Sequence, residues 1–149
     1  MILRPNPMTI PAIILDTNVL IASGFNPKSH SAQIVEQVRC GLLRMIWAEQ
    51  TREEAEWIIR KIPPLSWTAI AKLFRPEDCY GGTVFPERFQ QIPDKADLKF
   101  AALSDATGTP LITMDKGILS VRDTLAVPVL MPFEFLLDCD LFGRAGLEL

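Results

Sequence analysis

Short runs that are apolar on both sides alternate along this chain with stretches in which apolar residues recur every three or four positions. Residues 12–15 (Ala-Ile-Ile-Leu) form one such run, and Asp16 interrupts it before Val19, Leu20 and Ile21. A segment apolar on both faces suits a strand in the middle of a parallel sheet. From about 31 to 43, Ala32, Ile34, Val35, Val38 and Leu42 lie at helical spacing. Ser29 or Ser31 is placed to cap that helix, and Gly41 interrupts it near its end. Residues 44–47 read as a second strand. Thr51 opens TREEAEWIIRKI, a helix that Pro63 and Pro64 stop. Trp67, Ile70, Ala71, Leu73 and Phe74 outline another amphipathic helix over 65–75.

Between Pro76 and Pro93 the pattern is weakest, with residues 83–85 a short candidate strand beside Gly81, Gly82 and Pro86. Residues 97–107 predict a helix closed by Gly108. Residues 111–113 predict a strand that ends at Asp115. Residues 127–130 predict an edge strand, because Pro128 cannot donate to a ladder. A short helix over about 132–137 follows, then a loosely held tail.

Strands alternating with helices predict an α/β fold, a central parallel sheet with helices on its faces. The 149 residues suit one domain over 1–149, without internal repeats or a linker. Hydrophobic residues at 48% with 22% charged exclude the composition of a disordered chain. No apolar run approaches the ~20 residues of a membrane span. The opening MILRPNPMTI lacks the continuous apolar stretch of a secretory signal, so a cytoplasmic location is expected.

Three cysteines, Cys40, Cys79 and Cys139, are too scattered for a zinc site or a disulfide framework. They are expected as buried or partly buried free thiols. The sole histidine, His30, lies in a polar stretch and reads as a helix-entry residue. A net charge of −3 excludes binding of nucleic acid through bulk positive potential, though not through local basic groups.

The placement of the acids carries the chemistry. Asp16 directly follows a buried strand and Asp115 lies just past another. Ligands of open parallel sheets bind outside the carboxyl ends of the strands. The two carboxylates therefore share a crevice if their strands are neighbours, and Asp97 at a helix start can reach the same rim. Acids gathered at one point repel unless a cation neutralises them. Carboxylate oxygens without histidine or thiolate suit magnesium or manganese. Each acid has a plainer reading: Asp97 as a helix cap, Asp115 as a turn residue. Asp16 has none so easy, because an acid after an apolar strand must be paired or solvated. Asp94 and Asp105 read as loop and helix-surface acids.

The segments AIILDTNVLIAS (12–23) and ADLKFAALSDATGTPLITMDKGIL (96–119) together resemble PIN domains, in the opening strand and the later acidic block of that family. The resemblance implies a three-layer α/β/α sandwich and a metal-dependent ribonuclease using magnesium or manganese. It carries three acids onto Asp16, Asp97 and Asp115 as metal ligands and a fourth, a glutamate, onto the helix after the second strand. Glu53, Glu54 and Glu56 all stand there. Glu54 is preferred because the family's acid usually precedes a small-plus-polar pair such as Ala55-Glu56. Asn18 and Thr113 match polar positions that would steady carboxylates or a bound water, although Thr113 is also an ordinary β-branched strand residue. Lys99, Lys116 and Lys95 are candidate phosphate contacts.

RNA is the implied substrate. Small members of the family are often toxins held by an antitoxin protein, and homodimers are common, with the helices at 51–62 and 65–74 offering apolar surface. The stretch 63–93 departs from compact members. Three rivals are weighed. A phosphoaspartyl hydrolase would want a second aspartate two residues on, where Asn18 stands. A receiver-like domain would want paired acids on the first strand, which are missing, and a lysine after a late strand. A PIN-like module that binds RNA or protein without cutting would have no need for a full set of acids.

Overall fold

The computed structural model describes residues 10–138. They run β1 (Ala12–Leu15), α1 (Thr17–Phe25), α2 (His30–Arg39), β2 (Arg44–Met45), α3 (Glu49–Ile59), α4 (Trp67–Ala71), α5 (Leu98–Thr107), β3 (Leu111–Ile112), α6 (Lys116–Leu119) and β4 (Val129–Leu130). A last helix, α7, occupies 132–138. Short 3-10 turns at Pro76–Asp78, Pro86–Phe89, Lys95–Asp97 and Arg122–Thr124 carry the chain between them.

The four strands form one parallel sheet in the order β2-β1-β3-β4. Ile13 pairs with Met45, Leu15 with Ile112, and Ile112 with Leu130. Successive strand residues face opposite ways, and here that alternation divides two cores. Ile13, Leu15, Met45 and Ile112 pack with Leu20, Val35 and Ile59 from α1, α2 and α3 and with Leu73 from the turn after α4. Ile14, Leu111 and Val129 pack with Phe100, Leu103 and Ile118 from α5 and α6. Both faces of the sheet are therefore covered, which explains why β1 reads as an unbroken apolar run. The architecture is α/β with a central parallel sheet, consistent with a three-layer α/β/α sandwich. Among the described residues, no helix is long and apolar enough to cross a membrane.

Local chemistry sets the boundaries. Ser29 caps α2, accepting the Ala32 N–H at 3.0 Å, and His30 is its first residue. Gly108 closes α5 at φ +64°, a left-handed conformation that glycine adopts without penalty. Pro128 offers its carbonyl to the Leu111 N–H at 3.0 Å, and β4 lies at the sheet edge as its proline requires.

Several expectations need correction. Val19, Leu20 and Ile21, which the apolar pattern assigns to no element, belong to α1; the Val19 N–H already bonds the Asp16 carbonyl at 3.0 Å. The apolar residues of α1 stand in a nearly continuous block, TNVLIASGF, so no helical period shows. α2 ends at Arg39 rather than 43, because the chain turns at Gly41 (φ +82°) and leaves Leu42 exposed instead of on the buried stripe. α3 begins two residues before Thr51, whose hydroxyl bonds both the Ala48 N–H (3.0 Å) and the Ala48 carbonyl (2.8 Å). The second strand is limited to Arg44–Met45, and α4 to Trp67–Ala71.

Residues 83–85 are not a strand; Trp47 instead makes an isolated bridge to Cys79. Cys40 and Cys79 are exposed, not buried: the first sits at the α2 C-cap and the second just after a 3-10 turn. Cys139 and the tail lie outside the described residues. Of the apolar side chains of α3 and α4, Ala55, Ile59 and Ile70 are buried in this chain's own core, while Trp57 stands exposed by itself, so the two helices present no continuous external apolar face.

Candidate functional site

From β1 the chain reaches β2 on one side and, much later, β3 on the other, so the strand order reverses between β1 and β3. A crevice opens outside the carboxyl ends of strands at such a reversal. Asp16 follows β1 there, its N–H bonded to the Ile112 carbonyl of β3 at 3.0 Å. Thr113, just past β3, is fully buried and donates its hydroxyl to Asp16 Oδ2 at 2.7 Å. The same hydroxyl accepts the Asp115 N–H at 3.0 Å, which ties the two strand ends together. Asp115 heads α6, its Oδ2 accepting the Ile118 N–H at 2.9 Å. It is both a helix cap and a member of the rim.

Asp97 closes the 3-10 turn before α5 and makes no side-chain capping bond. It therefore does not serve as the side-chain cap of its plainer reading; Asp94 caps only the preceding 3-10 turn, accepting the Ala96 N–H at 2.9 Å. Asp97 is thus left free to face the other acids. Asp105 lies on the surface, 3.5 Å from Arg88.

Geometry separates the three glutamates of α3. Glu54 Oε2 accepts the Thr17 hydroxyl at 2.9 Å and Glu54 Oε1 meets Lys99 Nζ at 2.7 Å, so this residue joins the starts of α1 and α5. Glu56 is committed to Arg52 and Arg60, each at 2.8 Å. Glu53 is exposed. Thr17 was not singled out by the sequence reading. Its only signal was position, one residue beyond a strand-end acid.

The charge balance of the crevice follows from these contacts. Burial, only partly offset by the bonds from Thr113 and the Asn18 backbone, lifts Asp16 from 3.8 to about 6, with Glu54 and Asp115 adding repulsion. Asp97 rises to about 7, first through burial and then through the charges of Asp16, Asp115, Asp94 and Glu54. Four carboxylates from distant segments therefore feel one another. Asn18 accepts the Met114 N–H at a long 3.5 Å and holds no carboxylate with its side chain. Lys99 is bonded to Glu54 and to the Ala96 carbonyl. Lys116 and Lys95 are exposed beside the rim.

An all-oxygen donor set under mutual repulsion fits magnesium or manganese in chemistry. Among the described residues, no three His, Cys, Asp or Glu side chains are drawn up as a ready metal cage. Lys99 is the cation that Glu54 meets instead. Comparison with protein-family models, with curated proteins and with solved structures finds no match.

Proposed function

We propose that this chain is a metal-dependent endoribonuclease with a PIN-like active site made of Asp16, Glu54, Asp97 and Asp115. The observation that supports it most is the convergence of these four acids at the carboxyl ends of β1 and β3, where Asp16 and Asp97 are both lifted toward neutrality. Groups so perturbed and so placed are candidates for chemistry rather than for stability. Asp16, Asp97 and Asp115 would hold magnesium or manganese. When bound, that ion would supply neutralising charge for a phosphodiester and a more acidic water.

The chain's own groups do the positioning. Thr113 fixes the rotamer of Asp16, and Thr17 fixes that of Glu54. Glu54, once released by Lys99, is the carboxylate placed to accept a proton from the attacking water. Lys99 is then free, with Lys116, to meet phosphate oxygens. The products would be a 5′-phosphate and a 3′-hydroxyl. A cytoplasmic setting, a neutralising antitoxin and a homodimer belong to the same proposal as its biological frame.

The second reading is a PIN-like module that binds RNA or protein without cutting, and the Lys99–Glu54 pair favours it, since that pair silences one acid. Cleavage of a fluorescent single-stranded RNA with magnesium, with manganese and with chelator separates the two readings, with Asp16→Asn and Asp97→Asn alongside. Metal-dependent cutting that both variants lose supports the nuclease. RNA binding with no cutting in either metal supports the silent module.

A further inference from the structure

Trp57 is 65% exposed, although a tryptophan gains more than most residues from burial. It stands one helical turn beyond Glu54 on α3. With Gln50, Glu53, Glu54 and Lys99 it lines a shallow, open cleft. Glu54 and Lys99 belong to both the cleft and the acidic crevice, so the two are continuous. The indole has charges of both signs around it, Glu53 and Glu54 on the cleft wall and the lysines Lys99 and Lys61, with Lys61 Nζ 2.9 Å from the ring centroid.

An exposed aromatic with lysines beside it is the pairing that holds single-stranded nucleic acid, the ring taking a base and the cations taking the backbone. Gln50 and Glu53 add hydrogen-bonding groups at the cleft edge. A second copy of this chain fits the cleft less well. Trp57 is the only large exposed apolar side chain of α3 and α4 among the described residues, and one ring is not a contiguous apolar patch.

We propose that Trp57 is the stacking platform for an unpaired nucleobase of the RNA substrate, next to the phosphodiester addressed by the acids, so that single strands are preferred over duplexes. This rests on the nuclease reading and names a specificity residue within it.

The test compares wild type, Trp57→Ala and Trp57→Phe on a short single-stranded oligoribonucleotide of mixed sequence, on the same strand with abasic sites, and on its duplex. Binding is read in chelator by the anisotropy of a fluorescein-labelled strand, and kcat and KM are read with manganese. The expected result is about a tenfold loss of affinity in Trp57→Ala, carried by KM, as removal of one base-stacking side chain implies. Trp57→Phe should recover most of it, and the abasic strand should bind the wild type as weakly as the intact strand binds Trp57→Ala. If Trp57→Ala binds and cuts like the wild type, the platform is refuted while the nuclease reading survives. If the wild type neither binds nor cuts, both fall. If Trp57→Ala instead turns a dimer into a monomer in sedimentation, the ring belongs to a second copy and the proposal is overturned.

Discussion

Replacing Asp16 by Asn should make the metal-free protein more stable, and the gain should depend on pH in a defined way. Asp16 is almost fully buried, and its carboxyl is displaced from 3.8 to about 6. The folded chain therefore holds this proton more tightly than the unfolded chain does. The contribution of Asp16 to stability is fully present below about pH 4, declines as pH rises to about 6, and stays low above that. A displacement of about two pH units, at ~1.4 kcal/mol each, amounts to about 3 kcal/mol at neutral pH.

Asparagine has nearly the same shape and can still accept the Thr113 hydroxyl, so the variant should recover much of that sum. For a domain of this size the gain corresponds to about 6–12 °C in melting temperature. The assay is thermal unfolding of both proteins in chelator, at about pH 4 and about pH 7. The melting temperatures should coincide at the lower pH and part at the higher. Added manganese should then close most of the gap, because ligand that binds only the folded state stabilises by mass action, by about 2.7 kcal/mol at a hundred times Kd. A variant that melts below the wild type at neutral pH, or a gap indifferent to pH, would refute the reasoning that Asp16 is a strained charge.

Thr113→Val keeps the volume of a fully buried side chain but removes the hydroxyl on Asp16. Manganese affinity by calorimetry should fall about 10–100-fold while Thr113→Ser stays near wild type; equal affinities in all three would dismiss the positioning role. Divalent-ion binding should also strengthen as pH rises through about 6 to 7, and at about pH 6 it should release protons, since Asp16 and Asp97 must ionise first. Titrations in buffers of different ionisation enthalpy would expose a proton count of zero, which contradicts this. Gly108→Ala should lower stability in urea by about 1 kcal/mol, because φ +64° strains any side chain; an unchanged midpoint would mean that the turn relaxes.

Much of this arrangement was legible because burial leaves a plain mark. Ile13, Ile14 and Leu15 face two cores and so read as a continuous run, and the acid that follows such a run had to be special. Asp97 and Asp115 stood out by position relative to Gly108 and to the Leu111-Ile112 strand. What escaped detection depends on contacts distant in sequence. The choice of Glu54 over Glu56 is made by Thr17 and Lys99 on one side and by two arginines on the other. No periodicity within α3 contains that information. Helix α1 escaped because its nine residues carry apolar side chains in a near-continuous block. The cysteines were misplaced because thiols are usually buried, whereas Cys40 and Cys79 occupy a helix end and a turn.

The pairing of β1 with β3 has a consequence for the order of events in synthesis. Asp16 is made early, yet the hydroxyl that orients it and the strand that pins it come from Thr113 and Ile112, nearly a hundred residues later. A nascent chain that ends anywhere before that point holds its first acid without the neighbours that bond and bury it. The acid cluster is therefore assembled only once the late strand has paired with the first. The topology serves as a built-in delay, set by chain connectivity alone.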